Sequence, residues 1–288
     1  MSIIIYLLPA LGWGLMPIFA SKAGGTPKQQ LLGTTIVAFI VGSVFSIIST
    51  PTYTLPGFLI SCMSGFFWTF GQLFQFKALK QAPVSKGMPV SNGSQLLFTT
   101  FVSGVILKEW SSSRVTISSL VILVLIIFAI WLLANDGAKN KELDGQSNNY
   151  GWILSMIISS LFLTGYVTTN AYFRISNYEV FFPQSLGMLI TASVIYIISS
   201  KEEKLGFKNV MKNCTTGMSW SIANISLFFT ASNLGVGLSY TISQLCVFVS
   251  IFAGIIILGE KKTNREKKRI SLGVVIFLFS IVVLSIYK

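Results

Sequence analysis

The sequence predicts an all-α membrane protein, with ten transmembrane helices arranged as two inverted five-helix repeats. Three observations carry this. Of 288 residues, 52% are hydrophobic and only 10% charged, at a mean hydropathy of +0.72; a soluble domain holds about a quarter charged residues. Ten apolar runs each approach the ~20 residues needed to cross a bilayer. Short motifs recur in the same order in both halves, offset by about 150 residues.

The first run, 2–20, lacks the basic start and small-residue cleavage site of a secretory signal and counts as a span. Pro9, Gly12, Gly14 and Pro17 punctuate it around Trp13. Proline removes a helical hydrogen bond and kinks the chain, which membranes tolerate where the break lines a cavity. Spans at 31–49 and 57–76 follow. On the latter, Trp68, Gln72 and Gln75 fall at i, i+4 and i+7, one helical face. The fourth span, 87–107, is punctuated by Gly87, Pro89 and Gly93 and sets Asn92, Gln95 and Thr99 on one face. Span 115–135 completes the first repeat, assigned to 1–135; the polar linker 136–149 separates it from the second, 150–288. That repeat holds spans at 151–173, 181–200, 213–232, 236–258 and 270–287.

The echoes between halves are specific in order. Gln30-Leu31-Leu32-Gly33 resembles Gln184-Ser185-Leu186-Gly187, and Gly65 to Trp68 resembles Gly217 to Trp220. Trp220 and Asn224 match Trp68 and Gln72; Ser243-Gln244-Leu245 matches Ser94-Gln95-Leu96; Ile257 to Glu260 matches Ile106 to Glu109. Five spans per half is an odd number, so the halves must be inverted, a carrier architecture that binds substrate where the repeats meet. Linkers after odd spans hold Lys22, Lys28, Lys80, Lys86, Lys139, Lys141, Lys201, Lys204, Lys208, Lys212 and the basic run 261–269. Those after even spans hold only Lys108, Arg114 and Arg174. The positive-inside rule therefore puts the odd linkers in the cytoplasm and both termini outside.

The chemistry narrows further. The net charge of +12 sits in short loops, as cytoplasmic lysines do, and does not indicate nucleic acid. With no histidine there is no hydrolase triad, and no phosphate loop appears, so no enzyme is expected. Cys62, Cys214 and Cys246 have no metal spacing and read as packing residues; neither metal nor cofactor is expected. The apolar interiors contain no Asp, Glu or Arg, the nearest acids being Glu109 and Glu260 at the ends of spans 4 and 9. A charged substrate would find no buried counter-ion. A neutral, hydroxyl-rich solute fits, because amides supply donors and acceptors together and an aromatic ring packs on a sugar's C–H face. The candidate contacts are Trp13, Trp68, Tyr166 and Trp220 as rings, and Gln72, Gln95, Asn224 and Gln244 as amides, with Asn92, Asn170 and Gln184 behind them. The competing reading makes these polar groups interhelical glue, while Trp110 and Trp152 belong to an interfacial belt.

Gly12-Trp13-Gly14, the Trp68 to Gln72 stretch, Met88-Pro89-Val90-Ser91, Phe182 to Met188, Ser243-Gln244-Leu245 and Leu258-Gly259-Glu260-Lys261 together resemble the glucose/ribose porter family of the drug/metabolite transporter superfamily. The resemblance spans nearly the whole chain and leans toward bacterial glucose uptake proteins. It implies ten spans, inverted repeats and sugar import; with the residue chemistry, the expected protein is a bacterial plasma-membrane carrier that imports a monosaccharide, glucose first, by alternating access. It also implies symport with protons, for which Glu109 and Glu260 are the available acids. The expected partners are a neutral sugar, the lipid bilayer and protons. Two points depart from the family: Lys108 stands where Gly is usual, and the loop charges put the termini outside whereas superfamily members are commonly drawn with them inside. A ribose or other pentose carrier, an efflux carrier of the same superfamily, and a channel or scaffold remain as alternatives.

Overall fold

The computed structural model describes residues 3–106, 108, 110, 112–134, 151–200 and 206–287, and every regular element among them is a helix. In order these are α1 (Ile3–Ala23), α2 (Pro27–Ser49), α3 (Leu55–Leu79), α4 (Val84–Val105), α5 (Ser113–Ala134), α6 (Gly151–Tyr172), α7 (Asn177–Ile197), α8 (Phe207–Lys212), α9 (Cys214–Leu234), α10 (Val236–Ser243), α11 (Cys246–Ile257) and α12 (Asn264–Tyr287). The linker expected at 136–149 and Glu109 lie outside the described residues.

Helical segments coincide with the apolar runs but start earlier where polar residues cap them. α2 begins four residues before its apolar run because Thr26 and Gln29 form a capping box and Pro27 occupies the first turn. α3 is capped by Thr54, whose hydroxyl accepts from the Gly57 N–H at 3.2 Å. Two features depart from the sequence reading. The stretch read as one span over 236–258 is broken at Gln244 and Leu245 into α10 and α11, and the basic linker before α9 contains the short helix α8. Six helices, α1, α2, α3, α5, α6 and α7, are long and apolar enough to cross a membrane. The others fall short by length and composition alone: α4 and α9 are rich in Ser, Thr and Asn, α12 opens on Asn-Arg-Glu-Lys-Lys-Arg, and α10 and α11 are halves.

The packing pairs one half of the chain with the other. α3 packs on α6 and α7, α1 on α9 and α11, α2 on α7 and α9, α4 on α6 and α11, and α5 on α12. Glycine allows the closest crossings. A Cβ at Gly65 would run into the Gln184 carbonyl on α7, one at Gly187 into the Cys62 backbone on α3, one at Gly33 into Val210 and Asn213, and one at Gly217 into the Thr34 carbonyl on α2. Hydroxyls then bond across: Ser219 Oγ donates to the Gly12 carbonyl at 2.6 Å, Ser160 Oγ to the Ser91 carbonyl at 2.8 Å, and Ser250 Oγ to the Gly14 carbonyl at 3.0 Å. Such bonds average about 0.6 kcal/mol each in membranes, so packing rather than any single bond holds the bundle. The outer surface carries Ile47, Ile48, Ile190, Ile256 and Phe279, a lipid-facing composition.

Two faces can be distinguished. On one, the Asn213 amide donates to the Gly24 carbonyl at 3.1 Å, joining the α1–α2 turn to the α8–α9 junction. On the other, Tyr53 in the α2–α3 connection meets Phe182 of α7 at 6.3 Å between ring centroids, and Phe45 stacks on Tyr178 at 6.0 Å.

Candidate functional site

The punctuated stretch of α1, the Trp68 face of α3 and the Asn92 face of α4 meet α6, α7, α9 and the α10–α11 break around one cavity of about 340 Å3. Its floor is Met16, Pro17, Gln75 and Met88; its mouth reaches Ala171 and Asn177, both exposed, with Ile175 and Ala231. The cavity therefore opens toward the α6–α7 turn.

All eleven residues named from the sequence line it: Trp13, Trp68, Gln72, Asn92, Gln95, Tyr166, Asn170, Gln184, Trp220, Asn224 and Gln244. The rings are fixed. Trp68 and Trp220 are each 2% exposed and meet edge to face at 5.3 Å, and Phe181 stacks on Trp220 at 5.8 Å. Such aromatic pairs add about 0.5–1.5 kcal/mol beyond area burial and lock the geometry.

The amides are held in three groups. Gln72 Nε2 donates to Gln75 Oε1 at 2.7 Å, and Gln75 Nε2 donates to Ser91 Oγ at 2.8 Å, so a relay joins α3 to α4. Tyr166 OH donates to Asn224 Oδ1 at 3.3 Å, while Asn224 Nδ2 donates to the Trp220 carbonyl one turn back at 2.8 Å. Ser64 Oγ is the hub of the third: it accepts from Gln184 Nε2 at 2.7 Å and Asn170 Nδ2 at 2.9 Å and donates to the Tyr166 carbonyl at 2.8 Å. Ser61 Oγ adds a bond to Asn170 Oδ1 at 3.3 Å. Asn92 Nδ2 has only a long contact to Cys246 Sγ at 3.5 Å, and the half-buried Gln95 has no protein partner among the described residues.

Each committed amide keeps spare capacity, since an amide offers two donor hydrogens and two acceptor lone pairs. The site thus combines pre-oriented donors and acceptors with flat apolar walls. Among the described residues that line it there is no Asp, Glu, Lys or Arg.

Several lining residues were not singled out from the sequence as contacts. Gln75 shares the face of Trp68 and Gln72 and was legible from that spacing. Met16, Pro17 and Met88 belong to the punctuated stretches, which pointed to a cavity without saying which side chains close it. Tyr240 and Cys246 enter through the α10–α11 break, and Asn177 through the mouth at the start of α7. Thr99, on the expected polar face of α4, is not among the lining residues; its hydroxyl is buried without a partner among the described residues. Glu260 also lies away from the cavity. Its carboxylate accepts from the N-terminus of α4, as Val84 N–H at 2.7 Å and Ser85 N–H at 3.1 Å.

Comparison with known proteins adds the family. The family model described as sugar transport protein matches residues 4–287. A protein of Listeria monocytogenes named for sugar uptake is 40% identical over 99% of both chains. The glucose uptake protein GlcU of Bacillus subtilis is 33% identical over 100% of this chain and 99% of its own, and a Priestia megaterium protein named for glucose uptake is 33% identical over the full length of both. One crystal structure superposes with a TM-score of 0.60 at 16% identity, covering 97% of this chain and 94% of that one, which shows a shared fold.

Proposed function

The chain belongs to the sugar transport protein family, a multi-pass membrane family, and we propose that it imports a neutral monosaccharide, glucose first among the candidates, by alternating access. The observation that carries this is the uncharged cavity, in which amides on α3, α4, α7 and α9 surround a fixed tryptophan pair. Its volume lies in the ~300–1,000 Å3 range of small-molecule sites. One sugar face would pack on the half-buried rings of Trp13 and Tyr166, backed by the buried Trp68 and Trp220 pair, while its hydroxyls exchange water for the amides of Gln72, Asn92, Gln95, Asn170, Gln184, Asn224 and Gln244. The names of the B. subtilis and P. megaterium relatives favour glucose over ribose.

In this reading the ten apolar segments all cross the bilayer, and 1–135 and 150–288 are inverted repeats. The helix pairings support it. Exchanging the halves turns α3 on α6 into α9 on α1, α3 on α7 into α9 on α2, and α4 on α6 into α11 on α1, while α2 with α7 and α5 with α12 map onto themselves. The glycine crossings obey the same exchange, Gly65 on α7 answering Gly217 on α2. Substrate would then sit at the repeat interface.

Proton symport is the finer part of the proposal. Among the described residues no carboxylate lines the cavity, so coupling runs through Glu109 or Glu260 at the span ends or does not occur. Replacing both by Gln in proteoliposomes should abolish uphill accumulation on a pH gradient; accumulation that survives would place coupling elsewhere. The transport reading itself is tested by uptake in cells lacking their own glucose systems. Saturable uptake competed by glucose but not by amphipathic drugs is expected, and drug-competed export would favour the efflux alternative.

A further inference from the structure

The closed end of the cavity is built differently from its mouth. Below the floor residue Met88, an apolar plug of Ile18, Val84, Met88 and Ala253 is packed by Leu15, Leu79 and Leu258. At its outer edge stands Glu260. The N-terminus of α4 follows Pro83 and has no capping side chain of its own. Glu260, arriving from the end of α11, accepts the Val84 and Ser85 N–H groups and the Ser85 hydroxyl. A carboxylate on first-turn amides is a charge-assisted pairing reinforced by the helix dipole. Gly254 makes the room: a Cβ there would lie 3.1 Å from both Glu260 Oε2 and Ser85 N. Val84 and Ser85 are 2% and 1% exposed, so this end is sealed.

We propose that Glu260 is a gate latch, holding the first turn of α4 against α11 and keeping the cavity closed at the face bearing residues 80–83 and 258–263. The latch joins the first half of the chain to the second through three polar bonds. They can be exchanged for water in one step, whereas the apolar plug can only slide apart once α4 is released. Opening this face requires that release, and a carrier that alternates must make and break the contact in every cycle. The inference rests on the alternating-access reading, but its readout needs no sugar.

The test uses single cysteines in a background with Cys62, Cys214 and Cys246 replaced by Ala. Ala253→Cys reports the plug and Ala231→Cys the opposite mouth, each labelled by an impermeant maleimide from its own face in oriented vesicles. Glu260→Gln should raise the Ala253→Cys labelling rate about tenfold, the ratio given by ~1.4 kcal/mol, and slow labelling at Ala231→Cys. Ser85→Ala, which removes one of three partners and keeps the charge, should move both rates the same way by less. If Glu260→Gln does not yield monodisperse protein, Ser85→Ala decides alone. Unchanged rates overturn the latch, and so do rates that rise together at both sites, which mark general loosening. Normal wild-type glucose uptake alongside either outcome would leave the sugar reading standing without the latch.

Discussion

At the level of single residues the two roles of a buried amide, ligand contact and helix glue, are separable because the cavity uses both. Gln184 and Asn170 converge on Ser64, and Ser61 also bonds Asn170, so this group is anchored to protein on most sides. Gln72 has one protein partner, and Gln95 none among the described residues. Losing an amide that pairs a sugar hydroxyl costs about 1–3 kcal/mol, roughly 5- to 150-fold in affinity. Gln72→Ala and Gln244→Ala should therefore weaken glucose binding by that range, read by ligand-induced tryptophan fluorescence, with normal insertion and monodisperse protein. Unchanged affinity in both would return them to helix glue. Gln184→Ala should instead lower thermal stability along with affinity, because Ser64 loses a donor it now accepts. These residues were legible in the sequence for a physical reason: hydrocarbon makes an uncharged amide expensive, so each one advertises an inward face. The sequence could not show which amides already spend their bonds on neighbours, since that depends on Ser61, Ser64 and Ser91 on other turns and other helices.

Among elements, the apolar runs located the helices because ~20 residues of hydrocarbon-compatible chain has few alternatives to a helix. What escaped was local. The α10–α11 break at Gln244 and Leu245 contains neither Pro nor Gly, so no breaker residue announces it, while the continuous α4 contains Pro89 and holds its course. α8 is six residues in a basic linker, too short for periodicity to register. Lys108 illustrates the reverse case. It adopts φ +58°, and Gly259, which stands at the matching place in the Ile257 to Glu260 echo, adopts φ +69°. The family's usual glycine at the first position is what that backbone prefers, and Lys108 accepts the strain of a left-handed residue. The glycine crossings give a sharper test. At Gly187 a Cβ would meet the Cys62 backbone, which cannot rotate away as a side chain could. Gly187→Ala should separate α7 from α3 and destabilise the protein by about 1–3 kcal/mol, as overpacked cores do. A melting temperature in detergent equal to wild type would mean the crossing is looser than described.

For the molecule as a whole, the arrangement of faces follows from charge, and the contacts agree with the grouping. The α1–α2 turn and the α8–α9 junction, two basic linkers, meet through Asn213 and Gly24, and the linkers before α4 and after α11 meet through Glu260. On the other face the weakly charged connection before α3 meets the first turns of α7 through Tyr53 and Phe182. Grouping alone does not say which face is cytoplasmic; the lysines and arginines predict it, because positive loops resist translocation. The dense run Lys261, Lys262, Arg265, Lys267, Lys268 and Arg269, just before and in the first turns of α12, dominates that asymmetry. With that orientation the cavity mouth, at Ala171 and Asn177, would face outward and the Glu260 seal inward, the state we propose for an importer awaiting its sugar. Single cysteines at Thr52 and Thr263 in a cysteine-free background place this on a measurement. In intact cells an impermeant maleimide should label Thr52→Cys and spare Thr263→Cys, with both labelled after permeabilisation. The opposite pattern would invert the molecule. The mouth would then open to the cytoplasm, and the first step of uptake would have to begin from a conformation in which α4 has already left Glu260.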